Sequence, residues 1–342
     1  MAVTVLTAHW RQWQGWMIVV MLDVLLATAG LAANFNHDGD YDGDGKMDPA
    51  VFDEPSGTWH VQLSDRGFEL QSFVWGGPNW TPIQSDYDGD GRADLVAYNR
   101  VTGTWCFLYS QNAFASPVYI NAFGGPGWTP VTGDYDGDGL TDLTIYHEST
   151  GAWRCKLSRQ DNATISGQLG GPGYTAVSGN FDGDGYSDPA VYRRSDGQWL
   201  VQFSSKGYAP QNCYVNTMGD ERLVPSPADY DGDRKTDPAV FAYGCGNSYG
   251  KEYVFCWYVL YSSLNYQQID PFRQLGREDC RPSNADPAPG DYDGDGKADF
   301  GVSWPDFESA GLMWRLWKSS NNYSGHSDVL YWNGDDLHPV QR

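Results

Sequence analysis

Asp40-Tyr41-Asp42-Gly43-Asp44-Gly45-Lys46-Met47-Asp48 sets carboxylates at positions 1, 3, 5 and 9 of a nonapeptide whose sixth residue is glycine. Alternate side chains of a tightly turned loop converge on one point, and converging hard oxygen ligands suit Ca²⁺. The backbone carbonyl of the seventh residue, Lys46, is expected to add another oxygen. An EF-hand would carry a bidentate Glu at position 12, but Val51 stands there. The loop is therefore expected to lead into a buried strand, not a helix.

Five more copies follow. They supply Asp86, Asp88, Asp90 and Asp94 around Arg92; Asp134, Asp136, Asp138 and Asp142 around Leu140; and Asn180, Asp182, Asp184 and Asp188 around Tyr186. The last two supply Asp229, Asp231, Asp233 and Asp237 around Lys235, and Asp291, Asp293, Asp295 and Asp299 around Lys297. One nonapeptide is a modest signal; six in register make about six Ca²⁺ sites the expectation. Asn180 lowers the charge of the fourth loop, and Arg234 replaces the turn glycine of the fifth, so the site starting at Asp229 is expected to be the weakest.

Of the 44 acidic residues, 23 lie in these loops, which leaves 21 against 22 basic residues elsewhere. The net charge of -22 is thus confined to short segments, and six bound Ca²⁺ would bring it to -10. Such a surface repels phosphate and argues against a nucleic-acid partner. With Gly 41, Pro 19 and 15% aromatic residues, the composition is that of an ordered, turn-rich β protein.

The copies start 46, 48, 46, 49 and 62 residues apart, a period that points to a β-propeller. After each loop come a short apolar strand such as Leu95 to Tyr98, a Gly-x-Trp signal such as Gly103 to Trp105, a third strand, and a Gly-Gly-Pro turn such as Gly124 to Pro126. Four strands per unit make one blade. Trp59, Trp105, Trp153, Trp199, Trp257 and Trp314 recur once per unit, which favours packing between blades over sugar stacking.

On these motifs the chain resembles the FG-GAP/VCBS repeats of integrin alpha-subunit propellers and exported bacterial proteins, over residues 34 to 342. In that family the acidic loop joins the innermost strand of a blade to the second. The resemblance implies that Trp80 to Ser85 is the inner strand of blade 2 and that blade 1 lacks its own. Leu337, His338, Pro339, Val340 and Gln341 echo Trp80, Thr81, Pro82, Ile83 and Gln84, so the last strand is expected to complete the first blade. The fold expected is an all-β propeller of six blades, with seven as the alternative.

Residues 1–33 read as a signal peptide: Arg11 precedes apolar runs from Trp16 to Leu22 and from Val24 to Ala33, broken by Asp23. The remainder is expected to be secreted or at the cell surface, with no stable membrane span after cleavage. Cys245 and Cys256 bracket an insertion in blade 5, and a disulfide there is the simplest pairing; Cys106, Cys155, Cys213 and Cys280 have no pairing that sequence fixes. Insertions in blades 5 and 6 are expected on the face opposite the acidic loops, and Tyr243, Tyr249, Trp304 and Phe307 are the candidate ligand-binding rings there. No nucleophile elbow, zincin motif, P-loop or dinucleotide fingerprint occurs.

The function expected is non-enzymatic: an adhesion or recognition module for a surface glycan or extracellular protein. Two alternatives are a lyase-like polysaccharide enzyme on a calcium propeller, and a head-to-tail fibre in which the last strand completes a neighbour's first blade.

Overall fold

The computed structural model of the chain describes residues 39–342 apart from 160–162, 210–213, 216–222, 244–252, 267–272, 279–284, 307–310, 325–326, 334–336 and 340–342. The expected signal segment 1–33 lies outside the described residues. Among them there are six four-stranded antiparallel sheets and no α-helix. Sheet 1 holds β1 (Ala50–Asp53), β2 (Thr58–Leu63) and β3 (Glu69–Val74), and sheet 2 holds β4 (Trp80–Ser85), β5 (Asp94–Asn99), β6 (Thr104–Leu108) and β7 (Val118–Ile120). Sheet 3 follows with β8 (Trp128–Val131), β9 (Leu143–His147), β10 (Ala152–Lys156) and β11 (Thr164–Gln168), and sheet 4 with β12 (Tyr174–Gly179), β13 (Asp188–Arg193), β14 (Gln198–Val201) and β15 (Tyr214–Val215). Sheet 5 comprises β16 (Val224–Pro225), β17 (Ala239–Tyr243), β18 (Tyr253–Val259) and β19 (Arg273–Glu278); sheet 6 comprises β20 (Asp286–Pro287), β21 (Phe300–Asp306), β22 (Gly311–Trp317) and β23 (Ser327–Asn333).

The final strand, β24 (Leu337–Pro339), is the fourth member of sheet 1 and pairs antiparallel with β1, Pro339 opposite Val51 and Leu337 opposite Asp53. In sheet 2, Pro82 of β4 stands opposite Ala97 and Trp80 opposite Asn99. Val51 and Ala97 are both the twelfth residue of their repeat, so the C-terminal echo of Trp80 to Gln84 pairs in the same register as its original.

The second strand of each sheet is an apolar run because both its faces are covered. Along β5, Leu95 and Ala97 pack with Phe52 and Trp59 of sheet 1, while Val96 and Tyr98 pack with Leu143 and Ile145 of sheet 3. Successive strand residues point to opposite faces, so one strand feeds two cores. The pattern continues between sheets 3 and 4, 4 and 5, and 5 and 6. A sixth core joins Trp314 and Leu316 of sheet 6 to Met47 of the first acidic loop and Val51 of β1. All six recurring tryptophans lie in these cores, none more than 4% exposed.

The Gly-x-Trp and Gly-Gly-Pro signals belong to a single contact. Gly103, at φ +68, lies so close to the turn that an added Cβ would stand 2.7 Å from the Gly124 carbonyl carbon. Its N–H donates to the Asn99 carbonyl and its own carbonyl accepts from Phe123. Two residues on, the Trp105 indole N–H donates to the Phe123 carbonyl at 3.0 Å.

Candidate metal centres

Each acidic loop joins the first strand of a sheet to the second, or in sheet 1 precedes β1, and its side chains are fixed by the loop's own backbone. In the first loop Asp40 accepts the N–H of Gly43 at 2.6 Å on one carboxylate oxygen and that of Gly45 at 2.8 Å on the other. Asp42 and Asp44 accept from the N–H two residues further on, at 3.1 and 2.9 Å. Asp48 is fully buried and accepts Tyr41 N–H at 2.8 Å and Ser64 N–H at 2.7 Å. The position-9 bonds recur for Asp94, Asp142, Asp188, Asp237 and Asp299.

The serine that holds each position-9 carboxylate is a site residue that the repeat reading missed. Ser64, Ser110, Ser158, Ser204, Ser262 and Ser319 each follow the third strand at the start of a tight turn. Four of their hydroxyls reach the position-5 aspartate as well: Ser110 to Asp90 at 2.8 Å, Ser158 to Asp138 at 2.8 Å, Ser204 to Asp184 at 2.9 Å and Ser262 to Asp233 at 2.8 Å. The signal was present as a serine 16 residues after position 9 in the first four repeats, but insertions move it in the last two.

These bonds do not neutralise the carboxylates. Burial, with repulsion from neighbouring aspartates, pushes Asp48, Asp94, Asp188 and Asp299 up to about 7, Asp142 to about 6 and Asp237 to about 8. Burial likewise raises Asp134 and Asp229, at position 1, to about 6. One carboxylate oxygen each of Asp88, Asp136 and Asp293, all at position 3, is buried with no hydrogen-bond partner. A buried carboxylate oxygen without a hydrogen-bond partner is the kind of ligand a cation takes.

Five loops bring three carboxylate oxygens within 4.8 Å of one another. The groups are Asp40, Asp42 and Asp48; Asp86, Asp88 and Asp90; Asp134, Asp136 and Asp142; Asp229, Asp231 and Asp237; and Asp291, Asp293 and Asp295. The two sequence departures act differently. Arg234 adopts the left-handed turn, at φ +69, and its N–H still reaches Asp229 at 2.7 Å. In the fourth loop the Asn180 amide donates to the Arg234 carbonyl at 3.4 Å, where an aspartate could only accept.

The candidate ligand-binding rings fare differently again. Trp304, expected on an exposed loop, is 2% exposed and packs on Phe255 with ring centroids 5.3 Å apart, with the Arg315 guanidinium over its ring at 5.4 Å. The reason is that the blade 6 insertion extends a hairpin: β21 and β22 stay paired from Phe300 with Trp317 out to Asp306 with Gly311, which turns Trp304 into the core. Tyr243 closes β17 opposite Phe255, whereas Tyr249, Phe307 and Cys245 lie outside the described residues. Cys256 is buried in β18, and Cys106 and Cys155 are free, buried thiols. On the acidic-loop side, a cavity of about 420 Å³ opens between loops 3 and 4, walled by Tyr135, Tyr186, Tyr208, Ile165, Asp136 and Asp184.

Comparison with known proteins agrees with this architecture. Residues 86–145 match the model of the FG-GAP-like repeat, which spans the second acidic loop through the strand after the third. No curated protein matches the chain. Among solved structures, a lectin of Agrocybe aegerita that recognises non-reducing terminal N-acetylglucosamine is 15% identical, with 86% of this chain and 79% of that one covered and a TM-score of 0.54. The dihydro-heme d1 dehydrogenase NirN is 10% identical over 87% of this chain and 76% of its own, with a TM-score of 0.46. Apo AztD from Citrobacter koseri is 10% identical over 85% and 96%, with a TM-score of 0.41. The family match and the likeness to the lectin give an FG-GAP-like repeat within a propeller-like all-β fold.

Proposed function

We propose that the chain is an exported, six-bladed propeller that binds Ca²⁺ in its acidic loops and acts as a non-enzymatic recognition module for a glycan or an extracellular protein. The observation that carries the reading is the set of buried, unpartnered carboxylate oxygens in loops that bring three carboxylates together. In each loop the carboxylates at positions 1, 3, 5 and 9 and the carbonyl at position 7 would hold the ion, and bound Ca²⁺ would supply charge neutralisation and cross-linking of the hairpin. The site starting at Asp229 would be the weakest, through the Arg234 cation beside it, and Asn180 would lower the charge of the fourth.

Six sheets, six cores and the β24 pairing favour a ring closed within one chain over head-to-tail donation of the same strand to a neighbour. No described helix is long and apolar enough to cross a membrane. The FG-GAP-like repeat and the lectin-like neighbour favour binding over chemistry, and the carboxylates fit metal ligation better than acid and base work. The cavity between loops 3 and 4, with three tyrosines beside carboxylates, is of ligand size and would be one candidate recognition surface; the insertions that carry Tyr243, Tyr249 and Phe307 would be a separate one. A disulfide from Cys256 to Cys245 would brace the blade 5 insertion.

Calorimetric titration of the metal-free chain with Ca²⁺, followed by a glycan and protein binding screen in millimolar Ca²⁺, tests the reading. Binding of several ions and retention of a glycan or protein are expected. Release of unsaturated sugars from a uronate polymer would replace the recognition role with a lyase activity.

A further inference from the structure

We infer that the six acidic loops are not independent sites: they are wired to one another in a closed circuit, so that Ca²⁺ loads them cooperatively. The inference rests on the calcium reading above and goes beyond it, because it concerns how occupancy of one loop alters the next. Its basis is a set of bonds that run between loops and leave the carboxylates untouched.

The carbonyl of the first residue of each loop accepts the N–H of the eighth residue of the following loop. Ala93 donates to Asp40 at 2.6 Å, Thr141 to Asp86 at 2.9 Å and Ser187 to Asp134 at 2.6 Å. Thr236 donates to Asn180 at 2.8 Å and Ala298 to Asp229 at 2.7 Å, and Met47 of the first loop then donates to Asp291 of the last at 2.7 Å. The first and last loops are thus joined by the same bond that joins every other pair. Both bonded residues are tied to the proposed ligand set: position 1 is itself a ligand, and position 8 immediately precedes the buried ligand at position 9.

A second circuit runs in the same direction. The side chain at position 7 of each loop covers the glycine at position 4 of the preceding one. A Cβ on Gly89 would meet Leu140 at 2.5 Å, one on Gly137 would meet Tyr186 at 2.6 Å, and one on Gly183 would meet Lys235 at 2.6 Å. Arg92 lies over Gly43, Lys297 over Gly232, and Lys46 over Gly294, which again closes the ring. At three junctions a third link is visible: the Tyr208 hydroxyl donates to the Tyr135 carbonyl at 2.9 Å, the Tyr266 hydroxyl to the Phe181 carbonyl, and the Tyr323 hydroxyl to the Tyr230 carbonyl at 3.2 Å.

An ion that fixes one loop fixes the carbonyl at its position 1 and the N–H at its position 8, and so orders part of both neighbours. A neighbour already ordered loses less conformational freedom on binding its own ion, which is positive cooperativity without any large movement. Reciprocity follows, since a coupling free energy acts equally in both directions. A ring has no end loop, so every loop feels two neighbours.

The test is Ca²⁺ titration of the metal-free full chain by calorimetry, on the wild type and on three variants. The wild type is expected to give a Hill coefficient of about 2 or more, and Asp88→Asn, which weakens loop 2, is expected to loosen the remaining sites at least about fivefold, the low end of ordinary coupling between sites. Ala93→Pro removes the N–H that links loops 1 and 2 without touching a carboxylate, and should keep the ion count while lowering the Hill coefficient. Leu140→Ala uncovers Gly89, leaves the backbone bonds in place and should lower it too; it serves where the proline variant does not fold. A Hill coefficient of 1 with the remaining sites unchanged in Asp88→Asn overturns the coupling while leaving the calcium reading intact. No bound Ca²⁺ at millimolar concentration overturns both.

Discussion

Strands β5 and β11 belong to neighbouring sheets and have nearly the same length, yet the first is buried from Asp94 to Tyr98 and the second is exposed at all five positions. The difference is one of neighbours. β5 lies between two other sheets and follows an acidic loop, so each of its side chains has a fixed partner. β11 is the outermost strand of its sheet and meets water. Stability, metal binding and sequence constraint should all concentrate on the inner side of the sheets, and the ways to break that contrast can be ranked by size.

Metal removal should have the largest effect. With free Ca²⁺ at about ten times Kd, each site adds roughly 1.4 kcal/mol and six add roughly 8. That compares with a whole domain's net stability of about 5 to 15 kcal/mol. Thermal melts in Ca²⁺ and in EDTA should therefore differ by tens of degrees or show no folded baseline in EDTA. Superimposable melts would break the contrast at its root.

The pH dependence sharpens it. In the metal-free chain the buried position-9 carboxyls titrate near 6 to 8, above their ordinary value of 3.8. Between those values the folded state holds protons that the unfolded chain has released, so stability should fall as pH rises through that window. With Ca²⁺ saturating, the ligated carboxylates hold no protons when folded, and the unfolded chain binds more protons at low pH. Stability should then rise with pH instead. Denaturant midpoints from pH 4 to 8, with Ca²⁺ and with EDTA, should slope in opposite directions; parallel slopes would show that the carboxylates are not the ligands.

A single inner side chain comes next. Trp105 is fully buried, its ring 5.1 Å from that of Tyr98, and its indole N–H is bonded. Trp105→Ala should cost about 3 to 5 kcal/mol, as a large cavity in a core does. Denaturant unfolding in saturating Ca²⁺ checks this, and a loss below about 1 kcal/mol would mean that the sheets do not share a close-packed core.

The same contrast explains what could be read from the sequence. The six loops, the apolar second strands and the tryptophans were legible because burial on two faces, the left-handed turn and the approach of one loop to the next leave few residue choices; Gly89, pressed by Leu140, has almost none. The C-terminal strand was legible because it repeats Trp80 to Gln84 in the register its partner requires. Trp304 was misplaced because added length was taken for a loop, when paired backbone absorbed it. The serines at the start of the tight turns were missed since their role depends on an N–H, which any residue type offers, and only the hydroxyl distinguishes Ser110 or Ser262. The inter-loop N–H to carbonyl bonds were out of reach for the same reason: they are made of backbone groups.

The smallest effect should come from the outer strands. Val74 ends β3 and is 78% exposed, on a strand whose other face is itself only partly buried where Phe73 packs against the core between sheets 1 and 2. Val74→Thr keeps the branched shape that suits a strand and exchanges a solvated methyl for a hydroxyl that water can satisfy. The change in stability should lie within about 0.5 kcal/mol, the range of surface substitutions that touch no special feature. A loss several times larger in the isolated, monomeric chain would mean that β3 packs against something the inner sheets do not supply, and the division into a constrained inner side and a permissive outer one would have to be redrawn. A small effect on stability, joined with loss of binding to a glycan or protein found in the screen, would instead place the recognition surface on the outer strands. That outcome would set it apart from the cavity between loops 3 and 4, where Tyr186→Ala is the matching variant.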